Sequence, residues 1–137
     1  MNIGIIGGGA WGKALATLTA GAGHEPRIGF RGHRPTGFPG TPNLDALAQE
    51  SDLLIVALPS DAVADALTSC ALDAASRVVI ASRGLEPRHG VWMSAFVTQH
   101  TPAKQVGALA GPALAAEVMA GHPTALVVAS PFDGVCE

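Results

Sequence analysis

The chain of 137 residues has little charge and few aromatic side chains, and it contains no tyrosine. Charged residues make up 14% of it and hydrophobic residues 48%, which excludes a disordered protein, since disordered chains are rich in charge and poor in apolar residues. The formal net charge is −3 and the eight basic residues are scattered along the chain. No basic field therefore predicts binding to nucleic acid or to an anionic membrane.

Several kinds of site and segment are also missing. Two cysteines, Cys70 and Cys136, cannot form a disulfide framework or a CxxC metal pair, and we expect both to be inert. The five histidines form no metal-binding triad with the acidic residues, so no metal site is predicted. No run approaches the roughly 20 apolar residues of a membrane helix, and no signal-peptide pattern begins the chain. We therefore expect a cytoplasmic protein with no inserted segment.

Short apolar runs alternate with alanine-rich amphipathic segments. The alternation predicts an α/β fold with a mainly parallel sheet and helices on both faces, in one domain over residues 1–137. A loop is predicted at Gly32–Pro42, which is rich in glycine and proline. The predicted strands are Asn2–Ile6, Arg27–Phe30, Leu53–Leu58, Arg77–Ala81, Val106–Leu109 and Ala125–Ala129. The predicted helices are Ala10–Ala20, Leu44–Glu50, Ser60–Cys70, Gly90–Gln99 and Pro112–Ala120.

A GxGxxG motif, Gly7-Gly8-Gly9-Ala10-Trp11-Gly12, lies between the first predicted strand and helix. In that context the motif is typical of a Rossmann-type doubly wound fold that binds a dinucleotide. Gly7 permits a tight turn, Gly9 lets the backbone approach a pyrophosphate, and Gly12 lets the helix pack closely on the strand. The free N–H groups and the dipole at the helix start favour the anion.

The same residues almost satisfy the motif of a P-loop, since Gly7 and Gly12 are followed by Lys13. A P-loop needs a serine or threonine next, because its hydroxyl binds magnesium, and Ala14 stands there instead. The sequence therefore favours a dinucleotide over a nucleoside triphosphate.

The end of the second predicted strand indicates which dinucleotide is preferred. NAD-binding folds place an acidic residue there for the ribose 2′-hydroxyl, but the nearest acid, Glu25, precedes the strand. Arg31, His33 and Arg34 follow the strand instead, and guanidinium groups match a 2′-phosphate. We therefore predict NADP(H) as the preferred cofactor, with NAD(H) possible; a solvated basic loop is the alternative.

Together these motifs make the chain similar to the bacterial NAD(P)-dependent glycerol-3-phosphate dehydrogenases. Gly-Gly-Gly-Ala-Trp-Gly-Lys-Ala-Leu-Ala at 7–16 resembles the start of that family, and Ser-Arg-Gly-Leu-Glu at 82–86 resembles its Lys-Gly-Leu/Ile-Glu motif. Further matches in family order are Gly-His-Glu at 23–25, Ala-Leu-Pro-Ser at 57–60, Gly-Pro-Ala-Leu-Ala-Ala-Glu-Val at 111–118 and Gly-His-Pro-Thr-Ala at 121–125.

The resemblance implies a reaction in which dihydroxyacetone phosphate is reduced by NAD(P)H to sn-glycerol 3-phosphate, the backbone of phospholipids. It also implies binding residues at the matching positions. The implied cofactor contacts are Ala10, Trp11, Arg31, His33, Arg34, Pro59, Ser60, Arg83 and Ala115. The implied substrate contacts are Arg83, Gly111 and Ala113.

The chain departs from the family in two residues, in a shorter loop after the second predicted strand, and in total length. Arg83 replaces a family lysine, and Ala113 replaces a residue with a hydroxyl group. Family members are about twice as long, and their second, helical domain carries the lysine acid/base. Neither Lys13 nor Lys104 takes that position, so we predict no catalytic residue in this chain and little or no activity for the chain alone.

Two classes of function remain open at this point. The chain is either the cofactor-binding half of such a dehydrogenase or a stand-alone, degenerate NADP(H)-binding module; a related two-domain dehydrogenase with another substrate is a third possibility. Without a helical domain, we expect apolar surface to be exposed near Leu114, Val118 and Val127–Phe132. That exposure predicts either self-association or a separate C-terminal domain as partner.

Overall fold

Strands and helices follow one another along residues 1–137, all of which the computed structural model describes. The strands are β1 (Asn2–Ile6), β2 (Glu25–Gly29), β3 (Gly40–Thr41), β4 (Leu53–Val56), β5 (Arg77–Ile80), β6 (Leu85–Glu86), β7 (Val91–Trp92), β8 (Gln105–Ala110) and β9 (Val127–Ala129). The helices are α1 (Ala10–Gly21), α2 (Leu44–Glu50), α3 (Ser60–Thr68), α4 (Met93–His100), α5 (Ala115–Met119) and α6 (Asp133–Cys136).

Seven of the strands form one sheet in the order β3-β2-β1-β4-β5-β8-β9. Every neighbouring pair is parallel except β8 and β9, which are antiparallel. From β1 the chain first adds strands on one side and then returns to add β4 on the other side. The predicted doubly wound, mainly parallel sheet is therefore confirmed, and its topological switch point lies between β1 and β4, where such folds bind ligands.

Apolar side chains cover both faces of the sheet. Ile6 packs in a core with side chains of α2, α3 and α4, whereas its neighbour Ile5 packs in a second core with α1 and α6. In β5, Val78 and Ile80 belong to the first core and Val79 to the second. Burying one such side chain stabilises the fold by about 1.5–3 kcal/mol. This two-sided burial explains why the central strands are nearly continuous in valine, isoleucine and leucine.

The segment between β2 and α2 is more ordered than predicted. The prediction of a surface loop over Gly32–Pro42 is wrong for Gly40 and Thr41, which form β3 on the edge of the sheet. The N–H group of Ile28 donates to the carbonyl of Pro39 at 2.9 Å. β3 forms because the outer edge of β2 carries backbone groups that need partners. β2 itself begins at Glu25, two residues earlier than predicted.

A small hairpin interrupts the predicted alternation of strand and helix. β6 and β7 pair antiparallel, with Leu85 opposite Trp92, and helix α4 begins only at Met93 instead of Gly90. The last predicted helix is shorter at both ends, and the predicted strand at Ala125–Ala129 begins at Val127. The hairpin lies directly after β5 and therefore at the carboxyl edge of the sheet.

Large apolar side chains are exposed near the end of the chain. Leu114, Val127 and Phe132 expose 58%, 64% and 39% of their surface, as predicted. The prediction for Val118 is wrong, because it is 4% exposed and packs against Ala14 of α1. No helix is both long enough and apolar enough to span a membrane.

Candidate functional site

The glycine turn between β1 and α1 is shaped by two close backbone contacts. Gly7 has a φ of +125°, and a Cβ at this position would lie 2.3 Å from the carbonyl oxygen of Ala57. A Cβ on Gly12 would lie 1.8 Å from the carbonyl oxygen of Gly7. Any larger residue would collide with backbone at both positions. The structure therefore gives Gly7 and Gly12 the turn and packing roles that the motif predicts.

The third glycine of the motif faces open space. Gly9 is the N-cap of α1, it is exposed, and a Cβ built on it meets no atom within 4 Å. No side chain caps the helix, and its first turn contains no acidic residue. The first N–H groups of α1 and the positive end of its dipole therefore face an accessible surface, which is the geometry of an anion site.

A cavity of about 290 Å³, here called the β2 cavity, lies between the ends of β1 and β2. Arg31 and His33 are the basic residues in its lining, and no carboxylate lines it. Glu25 lies at the other end of β2, paired with Asn2 at the amino edge of the sheet. The β2 cavity is lined by Ile6, Gly7, Gly8, Gly9, Gly29, Phe30, Arg31, His33, Leu44, Leu58, Ala62 and Ala66.

A second cavity, of about 390 Å³, lies on the other side of the α1 start and is called the β4 cavity. It brings the glycine turn together with the carboxyl ends of β4 and β5 and with the start of α5. Seven predicted site residues line it: Gly9, Ala10, Trp11, Pro59, Arg83, Ala113 and Ala115. Its remaining lining residues, Ala57, Leu58, Ala81, Ser82 and Leu114, were not predicted as site residues.

A third cavity, of about 450 Å³, lies beyond β5 and is called the β5 cavity. It shares Trp11, Ala81, Ser82 and Arg83 with the β4 cavity, so these residues separate the two. Both tryptophans of the chain line it, and Trp92 is 70% exposed. Arg83 is the only charged residue in its lining.

Some predicted site residues have other positions or other roles. Gly12, Arg34 and Ser60 line none of the three cavities. Gly111 lines the β5 cavity, but its φ is +150° and a Cβ there would lie 2.4 Å from the carbonyl oxygen of Ala125. Close packing of two backbone segments is therefore sufficient to require glycine at this position, whether or not it contacts a substrate.

Two long-range hydrogen bonds join the elements around the β4 cavity. The indole N–H of Trp11 donates to the carbonyl of Ala81 at 3.2 Å and so ties α1 to the end of β5. The Arg83 guanidinium donates through Nη2 to the carbonyl of Ala113 at 3.3 Å. Arg83 and Ala113, the two departures from the resembled family, are therefore direct neighbours. Ala113 is 2% exposed.

A buried carboxylate lies three residues after Arg83. Glu86 is 1% exposed, and its Oε2 accepts hydrogen bonds from the backbone N–H of His89 at 2.8 Å and from Nδ1 of His89 at 2.6 Å. Burial raises the pKa of the Glu86 carboxyl. The side-chain and backbone hydrogen bonds from His89, a backbone hydrogen bond from Arg88 and the charge of His89 together outweigh burial and hold that pKa below its ordinary value. In the sequence, Glu86 was noted only as the last residue of the Ser-Arg-Gly-Leu-Glu match at 82–86, and it was not predicted as a site residue.

The lowered pKa of Glu86 predicts a pH dependence of stability. Because the folded-state pKa lies below that of the unfolded chain, about 4.3, the contribution of Glu86 is complete above pH 5 and is lost as the pH falls through the folded-state value. The free energy of unfolding should therefore fall more steeply between pH 5 and pH 3 in the wild-type chain than in Glu86→Gln. Urea unfolding of both proteins across this range measures the difference, and parallel pH profiles would contradict the assignment.

The surroundings of Cys70 keep its thiol protonated. Burial and the neighbouring Asp45 raise the pKa of the Cys70 thiol to about 11, against an opposing effect of Arg31, so Cys70 is not a thiolate at neutral pH. No three His, Cys, Asp or Glu side chains lie close enough together to hold a metal ion.

Comparison with known sequences identifies relatives for most of the chain. The profile of a family described as NAD-dependent glycerol-3-phosphate dehydrogenase N-terminus matches residues 31–135. A glycerol-3-phosphate dehydrogenase (NAD(P)+) from Thioalkalivibrio sulfidiphilus is 33% identical, over 98% of this chain and 47% of that relative. The corresponding enzyme from Pelodictyon phaeoclathratiforme is 32% identical, over 95% of this chain and 46% of that relative. The chain therefore spans about half the length of the curated relatives it matches.

Solved structures show the same fold and the same partial coverage. Glycerol-3-phosphate dehydrogenase from Coxiella burnetii superposes with a TM-score of 0.79 at 25% identity, over 96% of this chain and 47% of that one. The enzyme from Saccharomyces cerevisiae superposes with a TM-score of 0.83 at 17% identity, over 96% of this chain and 48% of that one. At this low identity the likeness concerns the fold alone. The family profile and the sequence relatives agree, and the chain belongs to the NAD-dependent glycerol-3-phosphate dehydrogenase N-terminal family.

Proposed function

We propose that this chain is the cofactor-binding half of an enzyme that reduces dihydroxyacetone phosphate to sn-glycerol 3-phosphate with NADPH. The observation that carries the proposal is the open start of α1 at Gly9, with the β2 cavity on one side and the β4 cavity on the other. A dinucleotide needs this arrangement, because its pyrophosphate lies between two ring systems. The names of the relatives, which specify NAD(P)+, support the same cofactor class.

The three parts of the cofactor have separate places in this proposal. The pyrophosphate would bind the N–H groups at the start of α1, and the adenosine would occupy the β2 cavity. The nicotinamide would occupy the β4 cavity, against Ala10, Trp11, Pro59 and Ala115, of which Trp11 is fixed by its hydrogen bond to Ala81. Ser60, the first residue of α3, directly follows Pro59 at the rim.

The β2 cavity favours NADP(H) over NAD(H). Arg31 and His33 line it, Arg34 follows on the same exposed segment, and no carboxylate is present to bind a ribose 2′-hydroxyl. The 2′-phosphate of NADPH would bind the Arg31 guanidinium, which presents two parallel donors. NADH can still bind, since the pyrophosphate and nicotinamide contacts are common to both cofactors.

Fluorescence titration of the purified chain with NADPH and, separately, with NADH tests this proposal. We expect saturable NADPH binding, weaker NADH binding, and a loss of roughly 10- to 100-fold in NADPH affinity for Arg31→Ala, because a charge-assisted hydrogen bond contributes about 1.5–3 kcal/mol. Arg31→Ala should leave the affinity for NADH nearly unchanged.

Arg77→Ala is the matched control for charge, since Arg77 begins β5 at the opposite edge of the sheet. It should change neither affinity. Equal affinities of the wild-type chain for NADPH and NADH would contradict the 2′-phosphate assignment, and absence of binding to both would contradict the proposed function.

The substrate would bind beside the nicotinamide, near Arg83, Gly111 and Ala113. When bound, NADPH supplies the hydride, and the chain positions the carbonyl that receives it. Arg83 is the only charged residue that lines the β4 cavity or the β5 cavity, so it is the candidate contact for an anionic substrate. A guanidinium stays charged at ordinary pH, so Arg83 binds but donates no proton to the product alkoxide.

Protonation of that alkoxide therefore needs a group from outside residues 1–137. Lys13 and Lys104 line none of the three cavities. We infer that residues 1–137 are one cofactor domain, and that the half of the relatives not matched by this chain supplies the acid/base. Because both reactants are water-soluble and the product is the backbone of glycerophospholipids, we place the reaction in cytoplasmic phospholipid synthesis.

A second candidate function is an NADP(H)-binding module without catalysis. The contact between Arg83 and Ala113 favours it, since both residues depart from the resembled family and the guanidinium is engaged by a backbone carbonyl. The cofactor titration gives the same result for both candidates. Substrate-dependent NADPH oxidation after addition of a catalytic second half would distinguish them, since only the dehydrogenase half can support it.

A further inference from the structure

Arg83 lies on a short exposed segment that is fixed at both ends. On one side, the N–H of Ala81 and the Oγ of Ser82 both donate to the carbonyl of Val56, at 2.9 and 3.3 Å. Arg83, Gly84 and Leu85 are exposed, and the chain bends at Gly84, which has a φ of +89°. The position of the Arg83 backbone therefore depends on what fixes the other end.

Glu86 fixes that other end. Its carboxylate accepts the two hydrogen bonds from His89, and its backbone carbonyl accepts the N–H of Gly90 at 2.8 Å. These bonds close the turn between β6 and β7, opposite the end of the hairpin where Leu85 pairs with Trp92. Three hydrogen bonds to Glu86 therefore hold the turn of the hairpin.

The partner of Glu86 connects the hairpin to the core. The ring of His89 lies 5.6 Å from that of Phe96 and 5.4 Å from that of His100, both on α4. The only other ion pair of the hairpin joins Nη2 of Arg88 to Oδ1 of Asp65 on α3 at 3.3 Å, and both side chains are exposed. Exposed pairs contribute little, whereas a buried carboxylate is retained only when its hydrogen bonds are satisfied.

We propose that Glu86 is a positioning residue for Arg83: by holding the β6–β7 hairpin through His89, it keeps the guanidinium beside the Ala113 carbonyl and the β4 cavity. The inference rests on the proposed function, because Arg83 matters for binding only if the nicotinamide occupies that cavity. The inference goes beyond the proposed function because it assigns a role to Glu86, which lines none of the three cavities.

A double-mutant cycle separates positioning from general stabilisation. Glu86→Gln, Arg83→Ala and the double variant are compared with the wild-type chain by NADPH titration well below their unfolding temperatures. Arg83 lines the β4 cavity and was predicted as a cofactor contact as well as a substrate contact. We therefore expect NADPH affinity to fall roughly tenfold in Arg83→Ala and about fivefold in Glu86→Gln, and the double variant to match Arg83→Ala within about twofold. If Glu86 only stabilised the fold, Glu86→Gln would leave the NADPH affinity of the folded protein unchanged. That result, or an equal loss of affinity with and without Arg83, would overturn the inference.

A second measurement does not require the cofactor. The carbonyl ¹³C shift of Ala113 reports its hydrogen bond from Arg83, so Glu86→Gln should move it toward the value found in Arg83→Ala. His89→Ala should act in the same direction and serves as the second variant if Glu86→Gln does not fold. Asp65→Asn, which removes only the exposed pair, is the control and should leave the shift unchanged.

The two readouts distinguish failure of the inference from failure of the proposed function. A wild-type chain that does not bind NADPH would contradict the proposed function, while a moved Ala113 shift in Glu86→Gln would still support the positioning role. An unchanged Ala113 shift in folded Glu86→Gln and His89→Ala would overturn the positioning role, whatever the cofactor affinity.

Discussion

Gly12→Ala is expected to lower the free energy of unfolding by at least about 3 kcal/mol, because overpacking against backbone exceeds the usual range for core substitutions. The added methyl would lie 1.8 Å from the Gly7 carbonyl oxygen. That carbonyl cannot move easily, since the Gly7 N–H donates to Gly29 at 2.9 Å and the Ile6 carbonyl accepts from Ala57 at 2.8 Å. Relief would require α1 to separate from β1. Domains have only about 5–15 kcal/mol of stability, so we expect a marginally folded protein.

Gly21→Ala is the matched control, since Gly21 ends the same helix and a Cβ there meets no atom within 4 Å. Alanine should raise the stability by about 0.5–1 kcal/mol, the usual difference between the two residues in a helix. Urea unfolding followed by circular dichroism measures both variants. If the free energy of unfolding of Gly12→Ala lay within about 1 kcal/mol of wild type, Gly7 and Gly12 would have to be farther apart than in the structure.

The central strands and the glycine turn could be predicted because each rests on a local property of the sequence. The run Leu53–Val56 is apolar at every position, as a strand covered on both faces requires, and β1 was predicted with its observed bounds. Gly7 and Gly12 are constrained by backbone contacts that no other residue allows. The tight turn and the close packing of α1 on β1 could therefore be predicted from the motif alone. The apolar strand pattern and the glycine motif together place the candidate cofactor site at the end of β1 and the start of α1.

Other features depend on partners that are distant in the sequence. β3 and β6 have two residues each, too few for any periodicity, and they exist because β2 and β7 offer backbone groups to pair with. β9 pairs antiparallel with β8, and the composition of β9 does not indicate this direction. The bond from Arg83 to Ala113 spans 30 residues. The sequence therefore identified Arg83 as a candidate site residue but not the hydrogen bonds that position it.

Gly9→Ala is expected to abolish cofactor binding while leaving the fold intact. Its methyl meets no protein atom within 4 Å, and the φ of −74° at Gly9 is accessible to alanine. The loss of stability should stay within about 1 kcal/mol, the difference between glycine and alanine at an N-cap. The methyl would, however, fill the space in which the pyrophosphate approaches the start of α1, so NADPH affinity should fall by roughly 100-fold or more, about 2.7 kcal/mol.

The comparison of Gly9→Ala with Gly12→Ala separates the two uses of the glycine turn, because the first substitution faces the ligand and the second faces the protein. NADPH titration and urea unfolding on both variants should give opposite patterns: lost binding with retained stability for Gly9→Ala, and lost stability for Gly12→Ala. Wild-type NADPH affinity in Gly9→Ala would place the dinucleotide elsewhere on the chain. Lost affinity together with lost stability would mean that the methyl disturbs the turn itself, contrary to the open space at Gly9.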